Sequence, residues 1–199
     1  MNEHRRDWIF WALATVLIAA IVHLGTVYAL PRIVMMRALT RIGAPNVMHF
    51  GKRPDATSRA IVRPSPDLLY ASCPYDLSKG PLRVIAEVPN ATYWSVSAFD
   101  SATNNFFVKN DRYTGEKPEP PDAPDQHLAG KSIEILVLRH GQVMPTPGAT
   151  SFGFILFSPS DKGLLLFRTV IDDDKHVPAL EAVLHKASCE TVASPKGLR

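Results

Sequence analysis

Between residues 8 and 30 the chain has no Asp, Glu, Lys or Arg, and that gap says more than any motif in it. A run of 23 uncharged residues, WIFWALATVLIAAIVHLGTVYAL, is not the solvated face of a soluble helix. At 1.5 Å per residue it reaches roughly 34 Å, enough for a hydrocarbon core of about 30 Å. Trp8 and Trp11 stand at one end and Tyr28 at the other, where amphipathic rings settle among headgroups. The expectation is a single-pass transmembrane helix over 8–30, contacting the lipid bilayer, after an N-terminal tail of residues 1–7. The competing reading is a signal peptide cleaved after Ala29 at Val27-Tyr28-Ala29, although its apolar run exceeds the usual 7–15 residues. His23, alone in the distal third of the span, reads as a neighbour of headgroups or of another helix.

Cysteine is scarce. Cys73 and Cys189 are the only two, which excludes a disulfide-dense scaffold and any C-x-x-C site. The pair could close one bridge over a loop of more than a hundred residues, stabilising by about 4–5 kcal/mol in the chain-entropy picture. Equally, it could be two unrelated buried thiols. No His pair at helical spacing accompanies a Glu, so no metal site and no cofactor is expected. A net charge of only +3, with bases scattered among acids, gives no basis for nucleic-acid binding.

What is present falls into three parts. Residues 31–45, PRIVMMRALTRIGAP, read as a juxtamembrane amphipathic segment, with Pro31 placed to stop one helix or start another. Ile33, Met36, Leu39 and Ile42 form its apolar stripe, and the helix would end at Gly43, lying on headgroups or packing on the following domain. From residue 46 to 199 the period shifts toward two. LRVIAEV (82–88), TYWSVSAF (92–99), SIEILVL (132–138), FGFILF (152–157) and LLLFRTVI (164–171) alternate as strands, with AIVR and LLYAS before them. The fold class expected is mainly β: an antiparallel β-sandwich or jelly-roll-like domain. EKPEPPDAPD (116–125), with four prolines in ten residues, reads as an extended surface loop. Asp172-Asp173-Asp174 precedes KHVPALEAVLHKASC as a helix cap, with Val177, Leu180, Val183 and Leu184 as the apolar stripe of a short C-terminal helix.

Candidate chemistry concentrates in DSATNN, residues 100–105, between two aromatic-rich runs. Asp and Asn bond their own backbone in turns, so this cluster is first of all what a hairpin loop requires. As a ligand site it would present Asp100, Thr103, Asn104 and Asn105, joined from elsewhere by His140 of the RHGQ turn. Ser101 has no His near it in sequence, so no nucleophile–base pair is visible and catalytic residues stay unassigned.

The order and spacing of several motifs are similar to the family catalogued as domain of unknown function 1254. They are Asp67-Leu68-Leu69-Tyr70, Asp76-Leu77-Ser78-Lys79-Gly80-Pro81, the strand leading into Asp100 to Phe106, and SPSDKGLLLFRTVID at 158–172. The resemblance covers most of residues 35–190. It implies a sandwich-like domain and, in short versions without a second β-domain, an anchor in a bacterial envelope; it carries no activity and no catalytic residues. The resulting expectation is a binding module on the outer face of the bacterial inner membrane, with its N-terminus cytoplasmic and its domain periplasmic, whose partner is an envelope protein or glycan. The alternative is an enzyme acting on a sugar or lipid headgroup through a pocket at 100–105.

Overall fold

The computed structural model describes residues 3–59, 63–89, 92–112, 131–142 and 153–192. Helix α1 spans Glu3–Ile42, about 60 Å, without a break. It is the one helix among the described residues long and apolar enough to cross a membrane, with a mean hydropathy of 2.1 in its most apolar stretch. Trp8, Trp11 and Tyr28 are all exposed on it, as are Leu17, Val22 and Leu24.

Pro31 lies inside this helix and does not interrupt it. A proline there removes the bond to the carbonyl four residues back, and in the same turn the Arg32 guanidinium donates to the Tyr28 carbonyl at 2.6 Å. The stripe predicted for 31–45 is also rotated. Met35 and Ala38 are the buried positions, whereas Ile33 and Met36 are exposed. The reason is docking: α1 packs on strands β2 (Leu68–Asp76) and β8 (Lys162–Val170), and the face that meets them is set by the helix's approach. Of the two placements open for this segment, packing on the domain is the one observed at Met35 and Ala38. Gly43 leaves the helix at φ +139°, a conformation that glycine allows, and a Cβ there would also strike the His49 ring.

Among the described residues nine strands form two stacked sheets. The first has the order β1 (His49–Phe50), β2, β8, β4 (Trp94–Asp100), β5 (Asn105–Asn110). The second has the order β7 (Phe154–Ser158), β6 (Lys131–Arg139), β3 (Leu82–Val88), β9 (Ser188–Thr191). Alternation drives the packing: Leu82, Val84, Ala86 and Val88 face inward from β3, meeting Ala71, Val96, Ala98, Leu165 and Phe167 across the core. The expected sandwich is therefore present, with one departure: β7 runs parallel to β6. Residues 60–62 of AIVR and the whole of EKPEPPDAPD lie outside the described residues.

At the C-terminal end, α2 (Val177–Leu184) buries Leu180 and Leu184. The acidic run caps a separate 3-10 turn just before it, Asp173 accepting from the Lys175 amide at 3.0 Å, while Asp172 takes the His176 ring. KASC does not extend the helix: residues 188–191 form β9 at the edge of the second sheet. That strand carries Cys189, which is disulfide-bonded to Cys73 of β2 and so ties the two sheets together.

Candidate functional site

The functional candidates lie where three turns meet at one end of the sandwich. The first is DSATNN. Strands β4 and β5 pair down to Phe99 and Asn105, so residues 101–104 form a tight hairpin loop. Asp100 organises it: Oδ1 accepts from the Ala102 and Asn104 amides, both at 2.8 Å, and Oδ2 accepts from Asn104 Nδ2 at 2.9 Å. Thr103 occupies the left-handed region at φ +66°, and Asn105 Oδ1 accepts from the Phe107 amide. Asp100 itself is only 6% exposed. A buried carboxylate with three donors is a turn scaffold. The structure thus gives Asp100, Asn104 and Asn105 to the hairpin.

The second turn, Ser158–Asp161 between β7 and β8, is held by hydroxyls. Ser158 Oγ donates to the Ser160 carbonyl at 2.7 Å, and Ser160 Oγ to the Lys162 carbonyl at 2.7 Å. Ser160 Oγ also accepts from the Ser101 amide at 2.9 Å, which joins this turn to the hairpin. Beneath both sits Tyr75, 1% exposed, whose hydroxyl bonds the Phe99 carbonyl at 3.0 Å and Ser158 Oγ at 2.8 Å. Burial pushes its phenol up to about 12, with the nearby Asp100 charge adding to the effect and the Ser158 hydroxyl opposing it. The sign is definite. The folded state keeps a proton that the unfolded chain loses near pH 10, so stability is fully present below pH 10 and falls between pH 10 and 12, by roughly 2–3 kcal/mol. Denaturant midpoints measured across that window should show this fall in the native chain, and Tyr75→Phe should lack that component.

The third turn is RHGQ. Arg139 and Gln142 close it through main-chain and side-chain bonds, with Gly141 at φ +81°. His140 stacks on Phe157 of β7, ring centres 5.8 Å apart and planes 22° from parallel. Arg139 reaches Asp161 across the gap at 3.7 Å. Arg139, His140 and Asp161 line an open cleft of about 310 Å³ together with Gly141, Ser158, Pro159 and Ser160, and Phe157 adjoins it only through its contact with His140. His140 therefore belongs to the cleft, and the Ser158–Asp161 turn that also lines it is bonded to the DSATNN hairpin through the Ser101 amide. The sequence does not single out Arg139, Phe157 or Asp161; SPSD reads there only as turn chemistry, and nothing local signals that the turn faces RHGQ.

The motif Asp76 to Pro81 borders the same end and is structural. Asp76 caps a 3-10 turn at Leu77–Lys79, accepting from the Ser78 amide and hydroxyl, with Lys162 at 3.6 Å. Burial alone would raise its carboxyl; the Ser78 bonds and the Lys162 ammonium outweigh that and hold it below the usual carboxylate range. Gly80 is at φ +141°, where a Cβ would press on the Val192 carbonyl. Asn46, at φ +61°, bonds the Asp76 main chain on both sides and so fastens the segment after α1 to β2. Among the described residues no cluster of His, Cys, Asp and Glu is arranged to hold a metal.

Comparison with known proteins adds family and fold. A family model described as "Protein of unknown function (DUF1254)" matches residues 45–191. No curated protein matches in sequence. The chain is similar in structure to the VPA0106 protein of Vibrio parahaemolyticus, with a TM-score of 0.58 and 12% identity over 87% of this chain and 38% of that one. It also aligns with an uncharacterised protein from Burkholderia cenocepacia, with a TM-score of 0.46 and 14% identity over 89% of this chain and 44% of the other. The chain thus matches less than half the length of either.

Proposed function

The chain belongs to the DUF1254 family of proteins of unknown function, and on that footing we propose that it is a membrane-tethered binding module that holds an envelope glycan in the cleft at the RHGQ end. One observation carries the reading: the polar groups around the cleft are already committed to structure, while its walls stay open. Ser158 and Ser160 donate to carbonyls, Asp100 is saturated by its own hairpin, and the Tyr75 phenol holds its proton to about pH 12. These hydroxyls and this carboxylate are held by bonds within the fold, and the Tyr75 phenol stays protonated at neutral pH. What remains presented in the cleft is His140 beside the Arg139–Asp161 pair, with Phe157, 50% exposed, stacked against the His140 ring next to it. A flat ring face flanked by a charged donor and an acceptor suits the C–H face and hydroxyls of a sugar ring.

In this reading residues 8–30 of α1 cross the bacterial inner membrane with the N-terminus cytoplasmic and the domain periplasmic. The exposed apolar surface of α1 and its uninterrupted passage into the docked turns at Met35 and Ala38 support tethering. The Cys73–Cys189 bridge supports an oxidising compartment. The test uses the full chain in detergent and soluble peptidoglycan fragments. The native protein should bind them, and Phe157→Ala should weaken binding by tenfold or more with the melting temperature unchanged. Equal binding by the variant, or conversion of the fragments to new products, would contradict the reading.

A further inference from the structure

The outer face of the five-stranded sheet holds a second polar group, well away from the cleft. On β8 Arg168 lies between Tyr70 of β2 and Ser95 of β4, and the next pair along β4 on that face is Ser97 beside Leu166. Phe167, Val96 and Ala98 point the opposite way, into the core, so these residues form one row on the other face of the sheet, where Ser95 and Ser97 are nevertheless buried. From the β7–β8 turn to Arg168 is roughly 20 Å along the strand.

The row has an imbalance. Arg168 Nη2 donates to Ser97 Oγ at 3.1 Å, but its Nε has no partner. Ser95 Oγ, in a side chain only 1% exposed, has none either. Among the described residues these are the two buried side-chain polar atoms left unsatisfied, and they sit on paired residues of adjacent strands. A guanidinium carries a full positive charge, yet its cross-strand neighbours Tyr70 and Ser95, and the Ser97 it bonds, offer only neutral hydroxyls. Arg168 makes no ion pair among the described residues, although Arg53, Arg83 and Arg139 all do. Buried polar atoms without partners are uncommon enough in folded proteins to need a cause. A guanidinium edge offers parallel N–H groups at the spacing of two oxygens of one oxyanion, with a hydroxyl alongside as a third donor.

We propose that this face is an anion-binding site in which Arg168 and Ser95 take a phosphate group. Arg168 is half-buried as a residue, with its Nε buried, so the anion reaches the row through the exposed part of this side chain. Binding turns it from Ser97 toward the oxyanion, and Ser95 Oγ donates to the same group. Because α1 docks on β2 and β8, the strands on which Tyr70 and Arg168 lie, either a phospholipid headgroup or a free phosphate could supply that chemistry.

The experiment has two arms on the full chain in detergent, comparing the native protein with Arg168→Gln, Arg168→Lys and Ser95→Ala. In the first, inorganic phosphate is titrated against the melting temperature and followed by ³¹P line broadening. The native chain should give a saturable rise. Arg168→Gln should weaken it at least tenfold, Arg168→Lys should fail to restore it for want of the paired donors, and Ser95→Ala should weaken it severalfold. In the second, native mass spectrometry measures retained phosphatidylglycerol. Loss of retained lipid in Arg168→Gln assigns the site to a headgroup; unchanged retention alongside lost phosphate binding assigns it to free phosphate. Should Arg168→Gln fail to fold, Ser95→Ala, which removes one oxygen from a strand, decides the matter. The same phosphate response and the same lipid retention in the native chain and the variants would overturn the site.

Discussion

Gly163→Ala should leave little or no folded protein. Gly163 sits on β8 between Tyr75 of β2 and Asp100 of β4. Its backbone is not in the left-handed region, so the constraint is steric. An added methyl would overlap the Phe99 carbonyl oxygen and the Tyr75 hydroxyl, and would lie 2.5 Å from Tyr75 Cζ. The Tyr75 ring crosses the strand at this residue because there is no side chain to stop it. It thereby reaches both the Phe99 carbonyl and Ser158. Backbone carbonyls within a paired sheet cannot retreat without breaking the ladder, so Tyr75 must leave, stranding Ser158 and opening the core. Overpacking typically costs about 1–3 kcal/mol, and a clash with sheet backbone, which cannot move aside, belongs at or above the top of that range. Soluble yield and the thermal midpoint would show it. Combining Gly163→Ala with Tyr75→Phe should recover only part of the loss, because the phenol is removed but the Phe99 carbonyl remains in the way.

The second large effect concerns the bridge. Cys73 on β2 and Cys189 on β9 are 116 residues apart in sequence and lie in different sheets. Strand β9 has only four residues and one paired neighbour, β3, so it has little else to hold it. Closing a loop of that length restricts the unfolded chain by about 5 kcal/mol in the chain-entropy picture. For a domain of this size that corresponds to a fall in melting temperature of about 10–20 °C. Cys73→Ala combined with Cys189→Ala should show that fall, and adding reductant to the double variant should change nothing further. Since Cys73 is fully buried and Cys189 nearly so, reductant should act on the native protein only slowly, after opening.

How much of this could be read from the chain depended on how local the cause was. β3 is legible because four of its seven side chains alternate into the core and turn residues bound it on both sides. β9 is not: SCET has one buried position and polar neighbours, and only its pairing with β3 makes it a strand. The α1 stripe is a similar case. Several faces of 31–42 are apolar enough to dock, and the contact with β2 and β8 selects Met35 and Ala38 over Ile33 and Met36. Within the candidate site, the turn role of DSATNN follows from Asp and Asn alone, and Asp100 fulfils it. The cleft does not follow, because Arg139 ends β6 and Asp161 stands in the β7–β8 turn, and it is the pairing of β6 with β7 that brings them together. Arg168 likewise looks like any strand arginine until its neighbours prove to be serines and a tyrosine.

Every functional reading here places the domain outside the membrane, and one measurement addresses that directly. Lys79 is exposed on the 3-10 turn after β2, so Lys79→Cys adds a single reactive thiol to a chain whose two cysteines are paired. Spheroplasts carrying this variant would be treated with a membrane-impermeant maleimide before and after lysis. A periplasmic domain predicts full labelling of the intact spheroplasts, with no gain on lysis, and no labelling of the parent chain. Labelling of Lys79→Cys that requires lysis would put the domain in the cytoplasm and contradict the account.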